Sequence, residues 1–325
     1  MKFFSFFLPL WYPFSIHKLK ENEICKQEFF SKSYIMYKDF NDSIIIHSDV
    51  CPHQGGRFSN NGFLNKDKNI VCPYHGFCYE NGSFVGICHQ EKTKSKKKDL
   101  KTFDALQTND LIFINYNNSK TNIFYPPEEN NSEFRGVSGF LILENNYLTV
   151  TENLLDMLHI SFVHSFGSKI SIPQDIQFEK ISNIHGKTSF GYIPSKKTIG
   201  SFINSNTKNY SVFVENEFIL PTNTITRVYV GESVKTVFTR SIPIDDNKTL
   251  LYWKLYRNFW TENFLSKWVG DFLVNYLMNQ VLEEDINILK NINVKDRFGS
   301  IKTEYDITIL KFRQFTKNFI KDLYI

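Results

Sequence analysis

Residues 51–56 read Cys-Pro-His-Gln-Gly-Gly, and residues 72–77 read Cys-Pro-Tyr-His-Gly-Phe. The pattern is C-x-H, then 18 residues, then C-x-x-H. Two thiolates and two imidazoles offered by two loops bind a soft or borderline metal centre. Structural zinc of the Cys2His2 kind is one reading. The mixed pairs, each trailed by glycine (Gly55-Gly56 and Gly76), favour another. Glycine-bearing loops at hairpin tips approach a two-iron cluster closely and aim backbone N–H groups at its sulfides. Two Cys on one iron and two His on the other make a histidine-ligated 2Fe–2S centre, with ligands Cys51, His53, Cys72 and His75.

The stretch around these loops reads as β-structure. Residues 1 to 125 hold short apolar runs such as Ser43-Ile-Ile-Ile-His, punctuated by Gly, Asn and Asp. Residues 117–133 are rich in Asn, Ser, Glu and Pro, which places a boundary near residue 125. The chain of 325 residues is then a β domain over 1–125 and a second domain over 126–325. In the second, residues 205–257 alternate apolar and polar positions like an antiparallel sheet. Residues 150–164 and 262–291 have helical periodicity, the latter with Leu265, Val269, Phe272, Leu273, Tyr276, Leu277 and Leu282 along one side. The expected class is α+β: an all-β domain, then an antiparallel sheet flanked by helices.

A second metal set lies in Glu152–His164, ENLLDMLHISFVH. Glu152, Asp156 and His159 share one face of a helix. His164 follows His159 by five residues, about 140° round an ideal helix. Both imidazoles reach one metal only if the helix ends, widens or bends between them. Two His and one distant carboxylate form the facial triad of a non-heme Fe(II) site. The carboxylate falls in QVLEEDINIL, residues 280–289. Asp285 and Glu284 both have apolar neighbours at helical spacing, and periodicity does not choose between them. Glu283 fits a solvated face.

With both motifs in this order, the chain resembles the Rieske non-heme iron oxygenases, whose cluster motif is usually CPHR…CPYHGW. Gln54 and Phe77 replace the usual Arg and Trp. The resemblance implies a Rieske 2Fe–2S cluster and a mononuclear Fe(II) held by His159, His164 and Asp285. It implies that Asp156 bridges His75 of one subunit to His159 of the next in a homotrimer. It further implies a mono-oxygenase that uses O2 and electrons from a ferredoxin or similar reductase system. Trp11–Phe14 (WYPF) and Thr303–Phe315 (TEYDITILKFRQF) are similar to the branch that oxidises chlorophyllide a and pheophorbide a. Alkaloid, sterol and quaternary-amine hydroxylation are the alternatives, along with a non-catalytic Rieske electron carrier.

Composition sets the limits. The net charge of +4 gives no reason to expect nucleic acid as partner. Five Cys, an odd number, point to a reducing compartment, cytoplasmic or stroma-like. Cys25, Cys78 and Cys88 are expected as small buried hydrophobes. His17, His47, His89 and His185 are expected at the surface or as satisfied core groups. The apolar opening, residues 3–14, contains Pro9 and Pro13 and no small-residue cleavage site. It reads as a buried segment rather than a secretory leader, with a peripheral membrane contact as the lesser reading. The Lys-rich run at residues 91–99 reads as a solvated loop or a docking surface for an acidic reductant.

Overall fold

The computed structural model describes residues 10–88, 99–108, 110–115, 122–169, 171–193, 212–293 and 299–322. The Lys-rich run through residue 98 and the opening through residue 9 lie outside them. The chain divides into two compact units: residues 1–122 with 242–246, and residues 123–241 with 247–325. Among the described residues, no helix is long and apolar enough to cross a membrane.

The first unit is all-β. Its strands are β1 (Trp11–Ser15), β2 (Cys25–Phe29), β3 (Lys32–Lys38), β4 (Ile44–Ser48), β5 (Phe63–Leu64), β6 (Ile70–Val71), β7 (Phe77–Glu80), β8 (Ser83–Ile87), β9 (Thr102–Gln107) and β10 (Ile112–Asn115). They form a six-stranded sheet, β1-β10-β9-β4-β3-β2, and a four-stranded sheet, β5-β6-β7-β8. Asn81-Gly82 joins β7 to β8 with φ of 45° and 88°, the left-handed pair that a two-residue hairpin needs. A Cβ on Gly82 would also stand 2.5 Å from Thr102 Cγ2. Ile35, Tyr37, Phe58, Ile70, Tyr79 and Phe84 form a core that also contains Cys51 and Cys72.

His47 is buried in this unit, with its ring against Tyr37 and Phe58. Its Nδ1 lies 2.8 Å from the Ser48 carbonyl, and Nε2 has no partner. Burial pulls its pKa down to about 4, although the Ser48 carbonyl and the Asp49 charge push the other way. The unfolded chain therefore takes up a proton near pH 6.5 that the native state refuses until about pH 4. The stability at stake is intact above about pH 6.5 and is lost as the pH falls, by up to about 3 kcal/mol. Urea midpoints at about pH 7 and about pH 4.5 should separate widely for the wild type and less for His47→Leu. An equal separation would assign the acid sensitivity elsewhere.

The second unit holds a seven-stranded antiparallel sheet in the order β11-β17-β16-β15-β14-β13-β12. The strands are β11 (Arg135–Leu143), β12 (Gln174–Lys180), β13 (His185–Tyr192), β14 (Val212–Ile219), β15 (Asn223–Val230), β16 (Ser233–Pro243) and β17 (Thr249–Arg257). Its helices are α1 (Tyr147–Leu155), α2 (His159–Val163), α3 (Phe264–Leu289) and α4 (Ile307–Asp322). Asn146 caps α1 by accepting from Thr149 N–H, and Asn263 with Ser266 forms a capping box on α3.

The packed side of α3 differs from the expected one. Gly270, Val274, Met278, Leu282, Asp285 and Leu289 are buried, whereas Leu265, Phe272, Tyr276 and Leu277 are exposed. Side-chain size misleads because the helix crosses Arg257 at its smallest residue. A Cβ on Gly270 would lie 2.5 Å from Arg257 Nη2.

Candidate metal centres

The two cluster-type loops are built alike. Cys51 N–H donates to Gly56 O (2.8 Å), and Cys72 N–H donates to Phe77 O (2.8 Å). Gly55 N–H returns to Cys51 O and Gly76 N–H to Cys72 O, each at 3.0 Å. Gly55 and Gly76 take φ of 75° and 70°, where a side chain would be strained. Asp49 holds the first loop's stem, accepting from Ser33 Oγ, Ser59 N–H and Ser59 Oγ.

The sulfurs lie inside and the imidazoles outside. Cys51 and Cys72 are buried, while His53 and His75 are exposed with ring centroids 4.8 Å apart. Phe77 stacks on His53 at 4.1 Å, so the residue in place of the usual Trp still presents a flat face. Burial pushes the Cys72 thiol up, and the Cys51 thiol adds to that. The backbone N–H groups of Tyr74 and His75 oppose both by donating to its sulfur. Tyr79 Oη reaches Cys51 Sγ at 3.5 Å. A Cβ on Gly56 would stand 3.0 Å from Cys72 Sγ and 3.1 Å from Tyr74 Cβ, so the glycine lets the two loops approach each other closely. Two inward sulfurs, one met by backbone amides and the other by a tyrosine hydroxyl, and two outward imidazoles fit a 2Fe–2S cluster. Cys78 is buried as expected, but Cys25 and Cys88 are only half-buried.

The second set comes together at a helix break. Helix α1 stops at Leu155, and Asp156 is extended (φ −73°, ψ 121°) rather than helical. Its Oδ1 accepts from Leu158 N–H (2.8 Å) and His159 N–H (3.2 Å), capping α2. The helix face expected for Glu152, Asp156 and His159 is therefore absent. Glu152 forms a two-point ion pair with Arg313 of α4 instead. Helix α2 ends at Val163, and His164 is extended. The chain turns back at Gly167, where a Cβ would lie 2.2 Å from Ile160 O. This ending brings the two imidazoles together, edge to face, with ring centroids 5.0 Å apart.

His159 Nε2 and His164 Nε2 are 3.2 Å apart. Asp285 Oδ1 stands 3.5 Å from the first and 3.8 Å from the second. One ligand atom from each residue falls within 4.8 Å of the others. The outer nitrogens fix the tautomers. His159 Nδ1 lies 2.8 Å from the Asp156 carbonyl, and His164 Nδ1 lies 3.0 Å from Glu284 Oε2. A carbonyl or carboxylate accepts, so both Nδ1 atoms carry hydrogen and both Nε2 atoms present lone pairs. Two lone pairs and a buried carboxylate converge with no donor among them, an arrangement that a cation satisfies. Burial lowers both histidines. Asp285 and Asp156 outweigh it for His159, which is raised overall, whereas burial prevails for His164.

Glu284 and Asp285 thus separate by what they touch. Asp285 faces the imidazoles and accepts from Asn153 Nδ2 at 3.1 Å. Glu284 stands behind His164 and also accepts from Ser165 N–H at 3.1 Å. Neither this backing contact nor the Asp156 cap was legible in the sequence. Adjacent helical residues diverge by about 100°, which allows one acid to face a metal and the next to reach around it. Glu284→Ala should weaken iron binding about 10- to 100-fold in a chelator competition and leave the cluster's absorbance unchanged. Unaltered iron affinity would make Glu284 a bystander.

The comparisons with known proteins agree with this architecture. Residues 11–104 match the Rieske [2Fe-2S] domain. Residues 143–322 match the vanillate O-demethylase oxygenase C-terminal domain. Cholesterol 7-desaturase of Caenorhabditis elegans is 23% identical over 170 residues, 49% of this chain and 39% of that protein. Pheophorbide a oxygenase, chloroplastic, of Arabidopsis thaliana is 25% identical over 171 residues, 47% of this chain and 32% of that protein. The chain thus spans well under half the length of these relatives. A structure of the QL mutant of Pseudomonas putida CBB5 NdmA with caffeine superimposes with a TM-score of 0.77 at 18% identity, covering 96% of this chain and 90% of that one. At such identity the likeness is one of fold.

Proposed function

This chain belongs to the Rieske non-heme iron oxygenases, and on that premise we propose that it is a terminal oxygenase. It uses O2 and electrons from a separate reductant to oxidise an organic substrate. The observation that carries this reading is the convergence of His159 Nε2, His164 Nε2 and Asp285 Oδ1 with no donor among them. A non-catalytic electron carrier would have no use for that set. Cys51, His53, Cys72 and His75 hold the cluster; His159, His164 and Asp285 hold the single iron. When bound, the cluster supplies electrons one at a time and the single iron supplies the oxygen chemistry.

The chain's own residues orient that chemistry. Glu284 and the Asp156 carbonyl keep both imidazoles as Nε2 ligands. Asn153 donates to Asp285 and so orients a carboxylate otherwise set beside Leu282, Leu289 and Val150. Three protein ligands leave positions open on the metal. Asp156 is the assigned link between His75 of one subunit and His159 of the next, within a homotrimer, and a small ferredoxin is the electron donor.

The substrate assigned is a chlorophyll-type tetrapyrrole. Its support is the likeness to pheophorbide a oxygenase and the segments WYPF and TEYDITILKFRQF. The test supplies the reduced, iron-loaded protein with chlorophyllide a, pheophorbide a, a sterol and a methylxanthine under isotopically heavy O2. A labelled product from a tetrapyrrole alone is the expected result. Labelled product from the sterol or methylxanthine alone would replace the substrate assignment, and no labelled product from any would overturn the oxygenase.

A further inference from the structure

One cation on the iron-site side of the sheet has no pairing partner among the described residues. Thr224 and Thr239 hydrogen-bond across β15 and β16 at 2.6 Å, which puts their side chains on one face. Strand alternation then places Thr226 and Val228 on that face of β15, and Val237 and Lys235 on that face of β16. Thr226 donates to Asn216 of β14, whose Nδ2 donates to Leu154 O, near the end of α1. This is therefore the helix-covered face. Lys235 pairs with Val228, two residue pairs beyond Thr226–Val237 and about 7 Å along the strands.

The company on that rung is apolar. Val228 and Val230 pack with Phe190, Val214, Met157 and Ile160, and the last two flank His159 in sequence. Val237 packs with Val150, Leu282 and Leu289, the cluster around Asp285. Lys235 is half-buried between these groups. No hydrogen bond or ion pair to it exists among the described residues, whereas Lys187 and Lys254 on other strands each meet glutamates. Desolvation alone pulls its ammonium below the ordinary lysine value, with no charged neighbour contributing. A half-buried ammonium on this apolar rung, with no counter-charge among the described residues, is only partly solvated, and an anion that arrives from outside would complete it.

We propose that Lys235 anchors an acidic group of the substrate, a carboxylate, on the sheet face beneath the helices that carry His159 and Asp285. The proposal rests on the terminal-oxygenase reading of that face and narrows its substrate to an apolar, ring-bearing acid. The carboxylate binds as an ion pair while the ring system lies along the valines, with the oxidised carbon held toward the imidazoles.

The test pairs each acid with its methyl ester: pheophorbide a and 2-naphthoate, titrated against the iron-loaded wild type and Lys235→Met. The wild type should bind each acid that it accepts about 10- to 100-fold more tightly than the ester. In Lys235→Met that preference should vanish, with ester affinity unchanged and the thermal midpoint equal or higher. Lys235→Gln serves if the Met variant does not fold, and Lys235→Arg should restore much of the preference. Equal binding of acids and esters by the wild type, or a preference that survives both neutral variants, would overturn the proposal. The same pattern with naphthoate, and no binding of either pheophorbide, would uphold Lys235 and remove the tetrapyrrole assignment.

Discussion

Asp285→Ala should lower the iron content from about three to about two atoms per chain and abolish oxygenation, while the cluster's spectrum stays that of the wild type. The carboxylate is buried, and its fixed contacts are Asn153 and the two imidazoles. Its surroundings are otherwise apolar, with Val150, Leu143, Leu154 and Leu251 beside the leucines of α3. A charge in such a place costs stability unless something holds it. Removing it from the metal-free protein should therefore leave the thermal midpoint unchanged or raise it. A residue kept for folding would behave in the opposite way. Retention of all three irons, or loss of cluster and single iron together, would reject Asp285 as a ligand.

Arg227→Met should have the largest effect on stability. Arg227 lies between Glu128 and Glu217, on the sheet face away from the helices. Glu128 also accepts from Thr236 Oγ1 (2.9 Å), and Glu217 meets His185 Nε2 at 2.6 Å. The run of contacts crosses β13, β14, β15 and β16 and fastens the turn at Pro127–Asn130 to the sheet. Burial would raise both glutamates, but Arg227, with His185 beside Glu217, holds them below the usual carboxylate range. Removing the guanidinium leaves two buried carboxylates facing each other. The expected loss near neutral pH is about 3–5 kcal/mol in urea unfolding. Because the native glutamates have depressed pKa values, the stability at stake is present above the ordinary glutamate pKa and fades as the pH falls through the native values. The gap between wild type and variant should therefore narrow toward about pH 4. A loss under about 1 kcal/mol at pH ~7 would mean that water replaces the guanidinium without difficulty.

What the sequence discloses follows from how local each feature is. The C-x-H and C-x-x-H loops are local: spacing, chemistry and the trailing glycines lie within six residues, and the structure gives both loops one hydrogen-bonding scheme. His159 and His164 were legible as a pair, together with the requirement that their helix end between or beside them. The position of the break was not, because Asp156 stops α1 by bonding forward to Leu158 and His159 rather than by a Gly or Pro signal. Choosing between Glu284 and Asp285 needed the third dimension, since only the contact with His164 Nδ1 sorts them. The packed side of α3 departs from its apolar periodicity because Gly270 sets the helix against Arg257. Lys235 was hidden in Ser233-Val-Lys-Thr-Val, where alternation assigns a lysine to solvent. Both faces of that strand are covered, one by helices and the other by the Arg227 network.

The claim on which everything else depends is that one chain holds two different iron centres. Metal analysis of the intact protein, combined with electron paramagnetic resonance of the reduced state, tests it directly. The expected result is about three iron atoms per chain, no stoichiometric zinc, and the signal of a histidine-ligated 2Fe–2S cluster. Two irons per chain with the same signal would leave only an electron carrier, and zinc in place of iron would contradict both centres.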